Sequence, residues 1–145
     1  MNKETASRDQ SPVNILVALK QAQAKYGYLP SDFLEELADS FELTENDIYG
    51  VASFYSFLAT RPRGRNVIRI CRSLPCYLQN SRMIVEAVEK ELGITPGQTT
   101  PDGRFSFELT NCIGLCDRPP AMLVNHDPHV DLTPEKISRI LQDYK

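Results

Sequence analysis

Apolar and polar positions along the chain follow two different rhythms. From Pro12 to about residue 60 the period is helical. Ile15, Leu19, Ala22 and Tyr26 fall on one helix face, and Gly27 permits a stop. Ser31 is the expected N-cap of SDFLEELADSF, with Phe33, Leu34, Leu37, Ala38 and Phe41 inward. A third helix opens at Thr44, with Asp47 completing an imperfect capping box. Ile48, Val51, Tyr55 and Leu58 form its stripe, widened by Phe54 and Phe57. Three short amphipathic helices predict a small bundle over 12–60. Residues 1–11 are polar and without period, and are expected to be a disordered tail.

ATRPRGR (59–65) breaks that rhythm, and a strand-like alternation follows in NVIRIC. NSRMIVEAVEKELG predicts a helix that begins at Asn80 or Ser81 and buries Met83, Ile84, Ala87, Val88 and Leu92. TPDG is a turn, RFSFELT a half-buried strand, CIGLCDRPP a loop and AMLVN a short strand. LTPEKISRILQDY closes the chain as a helix with Pro134 in its first position and Ile137, Ile140 and Leu141 inward. The second part therefore reads β-α-β-β-α, a crossover followed by a hairpin and a closing helix, so the expected class is α+β.

Composition bears on address and partners. At 145 residues and 41% hydrophobic the chain can build a real core. No stretch is long enough to span a membrane and the start is too polar for a secretory signal, so a cytoplasmic location without membrane insertion is expected. The net charge of −3 argues against nucleic acid. Residues 1–60 carry four Lys/Arg against nine Asp/Glu. Arg61, Arg63, Arg65, Arg69 and Arg72 cluster at the junction, either as a solvated edge or as a positive rim beside a negatively charged site.

The chemistry lies in four cysteines, all in loops at strand ends. Cys71 and Cys76 have four residues between them, and Cys112 and Cys116 have three. A cytosolic address disfavours disulfides. Thiol exchange calls for a C-x-x-C spacing that neither pair has. Structural zinc sites typically use C-x2-C or slightly longer knuckles, and a zinc site with both pairs stretched is less usual, whereas a two-iron cluster takes two thiolates per iron and suits wider spacing. Spacing ranks iron–sulfur above zinc and leaves zinc open. Gly114 would let CIGLC curl so that backbone N–H groups face sulfur, Pro75 would stiffen the first loop, and Arg72 and Arg118 each lie within two residues of a cysteine. His126 and His129 have no further ligands beside them and read as loop residues. The N-terminal aromatics, at helical spacing, read as core rather than a flavin or base-stacking surface. Nucleotide-binding glycine loops are absent.

YGYLP, IYGVASFYSFL, VIRICRSLPC, TPDGRFSF, NCIGLCDRPPAMLVN and LTPEK, in that order, make the chain resemble the thioredoxin-like [2Fe–2S] ferredoxin subunits of NADH-linked oxidoreductases. The resemblance runs from about residue 12 to 143. It implies a helical bundle followed by a thioredoxin-like α/β domain over 61–145, with one [2Fe–2S] cluster held by Cys71, Cys76, Cys112 and Cys116. It implies an electron carrier with no substrate-converting site of its own, beside a flavoprotein that binds FMN and NAD(P)H and further iron–sulfur or hydrogenase-type subunits. The acidic helical half and the arginine-rich junction would be docking surfaces. GLCDRPPAMLVN is closer to the hydrogenase-type and electron-bifurcating forms, with respiratory NADH:quinone oxidoreductase and NAD-dependent formate dehydrogenase as alternative hosts. Asn111, where the family often has an acid, and NHDPHVDL are departures from its pattern. A zinc-stabilised adaptor and a thiol oxidoreductase are the competing hypotheses.

Overall fold

The computed structural model describes residues 14–144. The expected tail at 1–11 lies outside the described residues. The chain divides between Pro62 and Arg63 into two compact units.

The first unit holds α1 (Ile15–Tyr26), α2 (Ser31–Ser40) and α3 (Glu45–Phe54). Asn14 starts α1 by accepting the Leu16 N–H, and Gly27 ends it by donating to the Gln23 carbonyl. The expected capping box at α3 is complete. The Thr44 hydroxyl takes the Asp47 N–H, and the Asp47 carboxylate takes the Thr44 N–H at 3.1 Å. Leu19, Leu29, Leu34, Leu37, Ile48 and Ala52 form the core.

Three expectations fail here. Pro30, not Ser31, is the N-cap of α2, because its fixed φ suits the extended entry and leaves Ser31 as the first helical residue. Helix α3 ends at Phe54 rather than Leu58, since Tyr55 turns extended. The side chain of Gln23 fixes the turn that follows, donating to the Phe57 carbonyl and accepting the Ala59 N–H at 2.6 Å. As a result Leu58 reaches the core from a loop, while Phe54 (80% exposed), Tyr55 and Phe57 face outward with Tyr26. The aromatic stripe is thus only partly core.

The second unit contains β1 (Asn66–Cys71), α4 (Leu74–Leu78), α5 (Ser81–Leu92), β2 (Phe105–Thr110), β3 (Met122–Val124), β4 (Asp127–His129) and α6 (Pro134–Gln142). The sheet order is β2-β1-β3-β4. β1 runs parallel to β2 and antiparallel to β3. The crossover is as expected, but the hairpin is not. It joins β3 to β4, with β1 lying between β2 and β3. NVIRIC is buried along nearly its whole length, which suits the centre of a sheet.

Ile68, Ile70, Phe105, Phe107, Met122 and Val124 pack against Ile84 and Val88 of α5 and Ile137 and Leu141 of α6. Met83, expected inside, is half exposed because Ile84 and Val88 set the buried face. Leu109, at the end of β2, is also exposed. On the opposite face of the sheet, Glu108 lies 2.9 Å from Arg63 and 3.4 Å from Arg69, both largely buried. The arginine cluster therefore divides. Arg61, Arg65 and Arg72 are exposed, whereas Arg63 and Arg69 serve the sheet. Gly64 lies so close to β2 that a Cβ would come 2.7 Å from the Phe105 carbonyl carbon.

Candidate metal centre

The two cysteine pairs stand at the end of the sheet where β1 stops and β3 starts. Cys71 is the last residue of β1, 1% exposed, and its N–H donates to the Ala121 carbonyl. The chain then turns through Ser73 into α4, a helix invisible to periodicity because LPCYL is too short to show one. Pro75 sits in its first turn. That single turn buries Cys76, 2% exposed, beside Cys71 and Ala121, with Ile113, Leu115 and Val130 around them. The other α4 side chains point out: Leu74, Tyr77 and Leu78 are each more than 60% exposed.

The second pair is exposed. The sulfurs of Cys112 and Cys116 lie 3.1 Å apart. Gly114, at φ +81°, folds the loop so that its N–H donates to the Cys112 sulfur at 3.4 Å. That is the role its place in CIGLC suggested.

The electrostatics join the pairs. Burial pushes the Cys76 thiol up to about 11, the Ala121 N–H opposes this, and Cys71 and Cys116 add to the rise. The Gly114 N–H and then Cys116 draw Cys112 down. Cys116 is raised, first by Cys112, then by desolvation and by the charges of Cys112, Cys71 and Asp117. Cys112 and Cys116 therefore titrate as a pair. Cys116 lies within electrostatic reach of Cys71 and Cys76, which brings the outer pair to the inner one. Among the described residues no three His, Cys, Asp or Glu side chains are gathered into one tight cage. The donor set is two pairs of soft sulfurs with backbone N–H groups aimed at them. That chemistry suits a two-iron centre.

Arg72 is exposed, and its N–H donates to the Thr110 carbonyl. Arg118 pairs with Asp131, a partner that no periodicity in the chain foreshadows. His126 is exposed in the β3–β4 turn. His129 lies in β4 rather than a loop and sits 3.0 Å from the Tyr144 hydroxyl, which donates to Asp127 at 2.9 Å. NHDPHVDL is thus a hairpin edge fastened to the end of the chain. No described helix is long and apolar enough to cross a membrane.

The chain is similar to several known proteins. Residues 1–145 match the family described as thioredoxin-like [2Fe-2S] ferredoxin. A subunit of the NADH-quinone oxidoreductase of Escherichia coli is 44% identical over 128 residues, covering 88% of this chain and 77% of that protein. The HndA subunit of the NADP-reducing hydrogenase of Solidesulfovibrio fructosivorans is 33% identical over 138 residues, covering 95% and 81%. The crystal structure of a NAD+-reducing [NiFe]-hydrogenase superimposes with a TM-score of 0.78 at 30% identity over 90% of this chain. The chain spans 22% of that hydrogenase chain.

Proposed function

The chain belongs to the thioredoxin-like [2Fe–2S] ferredoxin family, and from that premise we propose that Cys71, Cys76, Cys112 and Cys116 hold its single cluster. The inner pair would serve one iron and the outer pair the other. One observation carries this reading: two thiol pairs at one end of one sheet, each with a backbone N–H directed at sulfur. When bound, the cluster supplies one-electron oxidation and reduction.

The protein's part is to hold the sulfurs still and set their surroundings. β1 and α4 fix Cys71 and Cys76 in an apolar pocket that keeps water from the inner sulfurs. The Gly114 turn holds Cys112 and Cys116 at the surface, where an electron has a short way out.

The chain acts as an electron-transfer subunit of an NAD(P)-linked oxidoreductase. Its partner in this reading is a flavoprotein subunit that binds FMN and NAD(P)H, with further iron–sulfur subunits beyond. Leu74, Tyr77 and Leu78, exposed around the Cys76 turn, are suited to lie against such a partner. Only the role of one subunit carries over, since the chain is a fifth of the hydrogenase chain it superimposes on. For the host, 44% identity to the quinone oxidoreductase relative against 33% to the hydrogenase relative favours the NADH:quinone oxidoreductase type. The hydrogenase type is the second reading, favoured by the sequence GLCDRPPAMLVN.

Each cysteine changed to alanine in turn tests the ligand set. All four variants lose the cluster and its visible spectrum, while His126→Ala keeps both. A Cys112→Ala protein with a normal spectrum would contradict the assignment, and one zinc without colour in the parent protein would restore the adaptor hypothesis. Affinity capture of the native complex identifies the host.

A further inference from the structure

Arg118 stands two residues beyond Cys116 and is held from a distance in sequence. Its Nε donates to an Asp131 carboxylate oxygen at 2.8 Å, and a second guanidinium nitrogen reaches the same oxygen. The backbone repeats the link. The Asp131 N–H donates to the Arg118 carbonyl at 3.1 Å and the Leu132 N–H to the Pro120 carbonyl at 3.2 Å. Lys136 Nζ donates to the Asp131 carbonyl at 2.7 Å. Residues 118–120 are thereby tied to the segment that leads into α6.

Asp131 occupies this place at a cost. Its φ is +48°, in the left-handed region where glycine or asparagine is easier to accommodate. Either would make the turn, but neither brings a negative charge. The pair is half exposed, at 59% and 47% of its side chains, so it adds little to stability. Its consequence is where charge sits. Reduction adds one negative charge to a two-iron cluster, and a free guanidinium two residues from a ligand favours the reduced form. Asp117 opposes it from the adjacent position, and Arg72 follows Cys71 directly in the chain.

We infer that Asp131 is a positioning residue for the cluster: it engages the Arg118 guanidinium and offsets its charge, so that this arginine does not raise the reduction potential. The inference rests on the ligand reading above. It concerns what surrounds the cluster, not which residues bind it.

Redox titration of the full-length, cluster-loaded protein, followed by visible absorption, tests it. Asp131→Asn shifts the equilibrium toward the reduced cluster about threefold, or ~28 mV upward at 59 mV per tenfold for one electron. Arg118→Gln shifts it downward by a similar factor. Arg118→Lys stays near the parent, and the double variant Arg118→Gln/Asp131→Asn returns to within about 1.5-fold of it. The shifts shrink at ~1 M salt, where the screening length is about 3 Å. A fully loaded Asp131→Asn protein with the parent potential overturns the inference, as do single variants that move the same way. Should Asp131→Asn lose its cluster, Asp131→Gly removes the carboxylate and relieves the backbone, and a parent potential there also overturns it. A parent protein that binds no iron and sulfide overturns the ligand reading and the inference with it, a result seen before any variant is made.

Discussion

Gly114→Ala isolates the work of one dihedral angle. A Cβ at this position would have no atom within 4 Å, so the substitution brings no clash. The penalty is backbone alone. At φ +81°, an L-residue gives up about 1–2 kcal/mol relative to glycine. The turn it holds directs the Gly114 N–H at the Cys112 sulfur and sets Cys112 beside Cys116. Ile113 and Leu115 on either side pack on the small cluster around Cys71 and Cys76 and not on the main sheet core, so global unfolding moves by no more than that amount. The cost falls on the closed state of Cys112 and Cys116, the proposed outer ligands. If iron leaves through opening of this loop, about 1–2 kcal/mol makes release about 5–30 times faster. Bleaching of the visible band in excess ferrous chelator measures the rate. Gly114→Asn, whose side chain tolerates left-handed backbone better, falls between parent and alanine. Equal release rates in all three would refute the reasoning, because the turn would then not be what holds Cys112 and Cys116 to the metal.

Gly64→Ala has the opposite character, a clash without a dihedral penalty. The Cβ would come 2.7 Å from the Phe105 carbonyl carbon and 2.9 Å from the Ser106 nitrogen, both backbone, and would strain the Gly64 N–H bond to the Ser106 hydroxyl. A loss of about 1–3 kcal/mol and a Tm lower by several degrees are expected, read by circular dichroism with the cluster spectrum unchanged. His129 gives a pH dependence. Burial draws its imidazole below the usual histidine range, against the opposing pull of Asp127 and Asp143. The unfolded chain then takes up the proton first, so its contribution is whole above pH ~6.5 and is lost as pH falls toward the folded value. Urea unfolding at pH 7.5 and 5.5 shows the fall, and His129→Gln makes it shallower.

The long periodic segments were legible in the sequence. α1, α2, α5, α6, β1 and β2 each run several residues with one face apolar, and burial enforces that pattern. What escaped is set by contacts far apart in sequence. The end of α3 depends on Gln23 reaching the turn at 57–59. The position of β1 between β2 and β3 depends on pairings that alternation cannot assign. Helix α4 has a single buried residue, Cys76, which sets no period. β4 has no inward-facing apolar row and is held through His129, Asp127 and Tyr144. At the proposed site, the four cysteines are singled out by residue type and spacing, and the Gly114 turn that faces the Cys112 sulfur is the one its place in CIGLC suggested. Asp131 was not, being thirteen residues from the arginine it holds and marked only by its backbone angle.

One cluster per chain, held by two thiol pairs, is the central claim. Iron and acid-labile sulfide, counted on the full chain purified without oxygen and followed by electron paramagnetic resonance after dithionite, test this most directly. The prediction is two irons and two sulfides per chain, a visible spectrum that bleaches, and one unpaired spin on reduction. One tetrahedral metal without sulfide, colourless and silent to dithionite, would contradict it.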